Sequence, residues 1–244
     1  MEKAKKLNLS FVRAVIFDLD ETLIDATSGL YAAHNSVARE LKKILIKNKI
    51  EISLEKIQVK IRTIDDSMNM LLKYDRNNWW QIVVDQLAIS LDLDSKFRKK
   101  LTKIYWDSYM NSVNPYEDTI TVLKYLKDKG YFLGLITDTD GTSGIKKSRI
   151  DKLTFCNIFD SIIIAGEDTE YTKPDPEPYF KMAKSLGCSL DECIFVGDKL
   201  YTDMKGALRA GMKNILIQRR KWDVDTSIKP DIIINNLKQL RTFL

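Results

Sequence analysis

Short apolar runs separated by amphipathic segments dominate both ends of the chain. Polar residues bound each run, which is typical of a strand buried on both faces of a parallel sheet. The runs lie at 12–17, 131–136, 161–165, 193–196, 214–217 and 232–234, and helical periodicity fills segments between them such as 117–129 and 177–186. The alternation predicts an α/β fold with an open, mostly parallel sheet.

The stretch from Thr27 to Val113 breaks this alternation, because no strand-like run occurs in it. Apolar residues recur there at three- and four-residue steps, as on one face of a helix. The repeats cover Leu30 to Ile44, then 54–72, 79–91 and 97–110. We therefore predict a Rossmann-like parallel core at residues 1–24 and 115–244, with an all-helical insertion of about four helices at residues 25–114.

Composition limits the class of protein. The chain has 244 residues, 44% hydrophobic and 30% charged, which is the balance of a soluble globular protein. No apolar run approaches the ~20 residues of a membrane span. Lys3, Lys5 and Lys6 precede an apolar run, but Arg13 interrupts it and Asp18 ends it, so we expect no signal peptide and a cytoplasmic protein. A net charge of +5, evenly scattered, does not indicate nucleic-acid binding.

The side chains also limit the chemistry. The three cysteines form no CxxC pair and are interpreted as buried thiols. The chain has one histidine, His34, which lies on the predicted inner stripe of the first insertion helix and is expected to pack in the core. The basic groups at 146–149 and 219–221 are interpreted as solvated surface. Catalysis must then rely on carboxylates, lysine and threonine.

Acidic residues collect where the predicted strands end. In parallel sheets, ligand sites lie beyond the carboxyl ends of the strands. Asp18 and Asp20 follow the first strand, and alternation in extended chain predicts that they point to the same side. Asp198 ends the fourth run and Asp203 follows it, so four carboxylates are expected to converge. Such a cluster favours a shared proton or a divalent cation such as Mg²⁺.

A binding site for an anion is predicted beside this cluster. Thr137 ends the second strand with a hydroxyl group, and Lys173 supplies a positive charge directly before Pro174. A cation, a lysine and a threonine around paired carboxylates suit phosphoryl transfer, in which one Asp attacks in line and the second protonates the leaving alcohol.

Four motifs in this order resemble those of the haloacid dehalogenase-like hydrolases. The first is Asp18-Leu19-Asp20-Glu21-Thr22-Leu23, and Thr137 corresponds to the second. The third is Lys173-Pro174-Asp175-Pro176, and the fourth runs from Gly197-Asp198 through Asp203. The resemblance spans the core, and the insertion lies where one branch of the family, similar to phosphoglycolate phosphatases, carries a cap domain.

The resemblance implies a Mg²⁺-dependent phosphatase acting on a small phosphorylated metabolite, either phosphoglycolate-like or a sugar phosphate. Asp18 would be the nucleophile that forms an aspartyl-phosphate, and Asp20 the general acid and then base. Thr137, with its neighbour Asp138, and Lys173 would bind the substrate. The Asp18 carboxylate, the Asp20 backbone carbonyl and Asp198 would hold Mg²⁺, with Asp203 supporting directly or through water. The cap would close to exclude water during phosphorylation.

Two departures and several alternatives stay open at this stage. Asp138 stands where similar members often have Asn, and Glu170 where they often have Gly; both changes add negative charge near a phosphate. We hypothesise that these side chains turn away or select the leaving group. A phosphomutase with the same residues, or a non-catalytic phosphate-binding or receiver-like protein, remains an alternative; Asp20 argues against a dehalogenase. The chain is expected to be a monomer or homodimer, and its pattern does not select a substrate.

Overall fold

The computed structural model of the chain describes residues 9–219 and 227–244. The N-terminal lysines discussed above, and Arg220 and Lys221 of the second basic group, lie outside the described residues. Contacts between residues divide the chain into two compact units. The core unit comprises the residues up to Asp25, Pro115–Thr139 and those from Lys146 onward; the helical unit comprises Ala26–Asn114 and Asp140–Ile145.

The core unit contains a six-stranded sheet with the order β3-β2-β1-β4-β5-β6. All five strand pairs are parallel, which confirms the predicted fold class. The strands are β1 Ala14–Phe17, β2 Phe132–Asp138, β3 Ser161–Ala165, β4 Cys193–Gly197, β5 Lys213–Ile217 and β6 Ile232–Ile234. The core helices are α5 Thr119–Asp128, α6 Ile145–Asp151, α7 Glu177–Leu186 and α8 Lys205–Ala210.

Strand β1 lies between β2 and β4, and this position determines where the predicted site residues meet. Phe17, its last residue, is in register with Leu135 of β2 and Val196 of β4. All four residues of β1 are fully buried because neighbouring strands flank it and the core covers both faces. Asp18 therefore emerges at the carboxyl edge of the sheet, next to the ends of β2 and β4.

Two strand boundaries differ by two residues from those predicted, and the others agree to within one residue. The first run was expected to begin at Val12, but β1 begins at Ala14, and the Arg13 side chain before it ion-pairs with Glu192 at 3.3 Å near the surface. Strand β2 continues to Asp138, beyond the predicted end at Ile136, because its last residue still pairs with Ala165 of β3.

The helical unit contains four long helices around an apolar cluster of its own. They are α1 Ala26–Lys47, α2 Leu54–Met70, α3 Arg76–Gln86 and α4 Ser95–Met110. The third helix was predicted to run from Trp79 to Leu91. It begins earlier, because the Asp75 side chain accepts the Asn77 N–H as an N-cap, and ends earlier, because Ala88 adopts a φ of 57°.

A buried polar network lies inside the helical unit. Asp65, 2% exposed, accepts a hydrogen bond from Tyr105 at 2.6 Å and lies 2.7 Å from His34 Nε2. Arg76 approaches the same carboxylate at 3.5 Å, and its guanidinium stacks over aromatic rings, including Trp106 at 4.3 Å. Burial alone would raise the pKa of Asp65, but Arg76 and His34 hold it below its ordinary value. His34 thus occupies the core position expected for it.

The structure corrects the expected burial of the cysteines and of Arg219. Cys193 is buried, whereas Cys156 and Cys188 are partly exposed, so the three thiols are not uniformly internal. Arg219 is not a solvated side chain: it is 9% exposed and forms an ion pair with Asp118 at 2.8 Å, which a hydrophobic pattern cannot reveal. None of the described helices is long and apolar enough to span a bilayer.

Candidate active site

Asp18 occupies the centre of the site at the end of β1. Its backbone N–H donates to the Val196 carbonyl at 2.9 Å, which continues the parallel pairing one residue past the strand. Its carboxylate is buried, with the residue 6% exposed. Burial raises the pKa of Asp18, and the nearby Lys173 ammonium opposes that rise. A carboxylate in this position has lost most of its water and has one strong charged donor.

Lys173 joins two of the predicted acidic residues. Its ammonium donates to Asp18 Oδ1 at 2.6 Å and to Asp203 Oδ1 at 2.7 Å, and the residue is 2% exposed. Burial alone would lower the pKa of Lys173, but these carboxylates raise it well above the ordinary lysine value. The lysine is therefore a fixed positive charge at the carboxyl end of β1.

Asp198 and Asp203 complete an acidic cluster with Asp18. One carboxylate oxygen from each of the three lies within 4.8 Å of the others. The Asp203 carboxylate packs against the backbone of Gly197: a Cβ atom on residue 197 would lie 2.5 Å from a carboxylate oxygen of Asp203. Glycine at position 197 thus permits the approach. Asp203 Oδ2 also accepts the Lys199 backbone N–H at 3.0 Å, and the residue is fully buried.

Asp198 is the residue whose environment best fits a metal ion. Both of its carboxylate oxygens are buried, and neither has a hydrogen-bond partner among the described residues. Burial, and the negative charges of Asp203 and Asp18, raise the pKa of Asp198 well above its ordinary value, although the positive charge of Lys199 opposes the rise. Buried carboxylates normally have partners, and hard divalent cations take oxygen ligands. The three carboxylates therefore fit Mg²⁺ in both charge and chemistry.

Asp20 is not among the three carboxylates whose oxygens lie within 4.8 Å of one another, so three of the four expected carboxylates form this cluster. Extended chain ends at Phe17, and the backbone then turns, with the Leu23 N–H bonded to the Leu19 carbonyl and Glu21 at a φ of 69°. Alternation across a strand no longer applies after Asp18. The expectation that Asp18 and Asp20 point to the same side depended on that alternation.

Instead, Asp20 contacts two basic residues that were interpreted as solvated surface. Arg149 Nη2 lies 2.5 Å from its Oδ1, and Lys146 Nζ lies 2.9 Å from its Oδ2. Both basic side chains are 4% exposed, so the surface interpretation was wrong for them. Their spacing of three residues on a helix places both on one face, but this spacing does not tell a buried face from a solvated one.

The second-motif residues lie at the end of β2. Thr137 is 1% exposed and adjoins Ile164 of β3 in the sheet. Asp138 Oδ1 accepts the Lys173 backbone N–H at 3.0 Å, so this carboxylate holds the loop that carries the lysine. Burial raises the pKa of Asp138. Glu170, the other departure, is exposed, and a contact of either side chain with substrate stays a prediction.

Comparison with known proteins decides the family. The sequence model described as haloacid dehalogenase-like hydrolase matches residues 15–217. The chain belongs to this family. That span includes all four motifs, from the Asp18 segment to the Asp203 segment, and confirms the resemblance drawn from them.

Relatives and solved structures agree with this assignment. The chain is 28% identical over 213 residues to glyceraldehyde 3-phosphate phosphatase of Methanopyrus kandleri, covering 86% of each chain. It is 28% identical over 242 residues to N-acylneuraminate-9-phosphatase of Rattus norvegicus, covering 98% of this chain and 96% of the relative. The structure of the HAD-hydrolase YfnB from Bacillus subtilis, bound to magnesium, superposes with a TM-score of 0.73 at 18% identity, over 96% and 98% of the two chains. The chain is therefore an enzyme of the phosphoric monoester hydrolase class.

Proposed function

We propose that this enzyme hydrolyses a small phosphate monoester through a phosphorylated Asp18, with Mg²⁺ as cofactor. The observation that carries the proposal is the cluster at the carboxyl end of β1. It combines a buried carboxylate, the Lys173 ammonium 2.6 Å from it, and a buried Asp198 without a partner among the described residues. Phosphoryl transfer needs this combination of a nucleophile and fixed positive charge.

In the first step, a carboxylate oxygen of Asp18 attacks phosphorus in line with the ester oxygen. The bond from phosphorus to the leaving oxygen breaks, and Asp20 donates a proton to the departing alcohol. Lys173 balances negative charge on the phosphoryl oxygens that do not react, and Thr137 is the proposed hydroxyl donor to them.

In the second step, Asp20 acts as a base. Its carboxylate accepts a proton from a water molecule that attacks the aspartyl-phosphate at phosphorus. The bond between phosphorus and the Asp18 oxygen breaks, inorganic phosphate leaves, and the Asp18 carboxylate is restored. Asp20 is again protonated for the next turnover, so protons balance over the cycle.

The proposed ligands of Mg²⁺ are the carboxylates of Asp18 and Asp198 and the backbone carbonyl of Asp20, with Asp203 directly or through water. Bound there, the ion would supply positive charge beside that of Lys173 and neutralise the phosphoryl oxygens. Two observations support this assignment: the clustering of three carboxylates within 4.8 Å, and the buried Asp198 oxygens, which accept no hydrogen bond from the part of the chain that the structure describes.

For substrate, we propose a small sugar phosphate or a phosphoglycolate-like ester. The relatives named above act on glyceraldehyde 3-phosphate and N-acylneuraminate 9-phosphate, both small phosphorylated metabolites. The role of the helical unit as a cap, with the boundaries 25–114, stays a prediction from the resemblance, and so does a cytoplasmic location.

The test is release of inorganic phosphate from a panel of these esters, with Mg²⁺ or with a chelator. Wild type should turn over at least one ester in a metal-dependent manner, and Asp18→Asn should abolish turnover. Asp151→Asn, the same change at an exposed residue of the core unit, should retain it. Isomerised ester in place of phosphate would favour the phosphomutase alternative, and no reaction with any ester would contradict the proposal.

A further inference from the structure

Two buried cations hold the Asp20 carboxylate. The guanidinium of Arg149 donates to Oδ1 at 2.5 Å, and the ammonium of Lys146 donates to Oδ2 at 2.9 Å. Each carboxylate oxygen thus has its own charged donor, the strong kind of hydrogen bond. We propose that Lys146 and Arg149 are positioning residues that fix Asp20 for its proton transfers, an inference that rests on the proposed function.

The local structure explains how both donors reach one carboxylate. Helix α6 spans Ile145–Asp151, and its residues 146 and 149 lie three apart, on the same face. Lys147, on another face, is 62% exposed and ion-pairs with Asp151 instead. Helix α6 therefore carries two buried basic residues on one face and one exposed basic residue on another.

Exposure separates the role of Asp20 from that of its partners. The Asp20 side chain is 24% exposed, whereas the side chains of Lys146 and Arg149 are each 4% exposed. The Asp20 side chain therefore keeps some exposed surface, whereas the two cations are covered. They are therefore placed to act through Asp20 rather than on the substrate.

Stability alone does not account for the arrangement. Lys and Arg are almost never fully buried unless paired, and replacing a buried ion pair with apolar side chains is often neutral or stabilising. Two buried cations on one carboxylate do, however, fix its orientation. A general acid or base has to lie within hydrogen-bond reach of the proton it transfers, so that orientation matters for catalysis.

The proposal predicts a dependence on the leaving group. An alkyl alcohol leaves poorly without a proton, whereas p-nitrophenolate leaves readily as an anion. Because kcat/KM reports the first irreversible step, Arg149→Met should lower kcat/KM for 2-phosphoglycolate by roughly 10- to 100-fold, which is at most the lower end of the ~10²- to 10⁴-fold that a general acid contributes. For p-nitrophenyl phosphate the loss should be below about 3-fold.

Three further variants make the test specific. Arg149→Lys keeps a positive charge near Oδ1 and should recover part of the loss. Lys147→Met removes an exposed cation from the same helix and should leave kcat/KM unchanged for both esters. In an Asp20→Asn background, Arg149→Met should cause no further loss, because residues that act as a unit are not additive.

Several results would overturn the proposal: equal losses for both esters, a rise in KM as the main effect, or an undiminished loss in the Asp20→Asn background. Circular dichroism checks folding, and Lys146→Gln replaces Arg149→Met if the latter does not fold. If wild type turns over neither ester, an alkyl phosphate from the panel that it does hydrolyse replaces 2-phosphoglycolate, and only turnover of no ester at all contradicts the proposed function. With no turnover of any ester, urea unfolding of the two single variants and the double variant tests the contact on which the positioning role rests, and additive losses of stability overturn it.

Discussion

The Asp198 carboxylate has no hydrogen-bond partner among the described residues, which predicts that one substitution both stabilises the metal-free protein and removes its response to Mg²⁺. Asp198→Asn keeps the size of the side chain and removes its charge. The new amide group can donate to the carboxylates of Asp18 and Asp203, which lie within 4.8 Å. Asp203→Asn is the matched control with the opposite expectation, because the Asp203 carboxylate already accepts hydrogen bonds from Lys173 and from the Lys199 backbone.

The size of the expected change in stability follows from the free-energy cost of a buried polar group without a partner, which is about 1–3 kcal/mol and more for a charge. Relieving it should raise the free energy of unfolding of Asp198→Asn by ~1–3 kcal/mol in chelator. For a chain of this size that corresponds to a rise in Tm of roughly 2–12 °C. Asp203→Asn should lower the stability instead, since it weakens the contact to a buried lysine.

The raised pKa of Asp198 determines whether the free energy of unfolding rises or falls with pH. An acid whose pKa is higher in the folded state loses its proton first in the unfolded state, so stability falls as pH rises above the ordinary Asp value of 3.8. The advantage of Asp198→Asn over wild type should therefore be small near pH 4 and grow toward neutral pH.

Thermal unfolding of both variants and wild type, with chelator or with Mg²⁺, measures these effects. Saturating Mg²⁺ should stabilise wild type, by about 2.7 kcal/mol at a hundredfold excess over Kd, and leave Asp198→Asn unchanged. A metal-free Asp198→Asn that is less stable than wild type near neutral pH would refute the reasoning, as would an equal response of the two proteins to Mg²⁺.

Three further outcomes are expected. Lys173→Met should abolish turnover and, by leaving buried carboxylates such as Asp18 unpaired, lower the free energy of unfolding by about 3–5 kcal/mol in urea titration. Asp65→Asn should destabilise the helical unit by a similar ~3–5 kcal/mol at neutral pH, because it deprives Arg76 of its partner. Since the pKa of Asp65 is lowered on folding, its contribution exists above the ordinary value of 3.8 and is lost as pH falls further, so variant and wild type should converge in acid. Asp138→Asn keeps an oxygen that can accept the Lys173 N–H and should change stability by less than about 0.5 kcal/mol; an altered substrate ranking would support its predicted substrate contact.

The sheet and the helical insertion could be predicted from the sequence because the local pattern of apolar and polar residues reflects which side chains are buried. A strand covered on both faces, such as β1, requires a continuous apolar run, and an amphipathic helix requires apolar residues at three- and four-residue steps. The ends of elements were less accurate, since they depend on partners elsewhere: β2 continues to Asp138 because β3 pairs with it that far.

The cluster around Asp18 was accessible to sequence reasoning because strand ends of a parallel sheet meet at one edge. The partners of Asp20 were not. Lys146 and Arg149 lie 126 and 129 residues away along the chain, and no local pattern distinguishes a basic residue that is buried by a distant carboxylate from one in solvent. Arg219 was missed for the same reason, since its partner Asp118 is 101 residues away.

Detection of the covalent intermediate tests the central claim most directly. Turnover of a reactive ester is quenched in acid, and the protein is digested and examined by mass spectrometry. The account predicts a phosphoryl group on the peptide that contains Asp18, present in wild type during turnover and absent in Asp18→Asn. Steady phosphate release without any such adduct, or an adduct on a different residue, would contradict it.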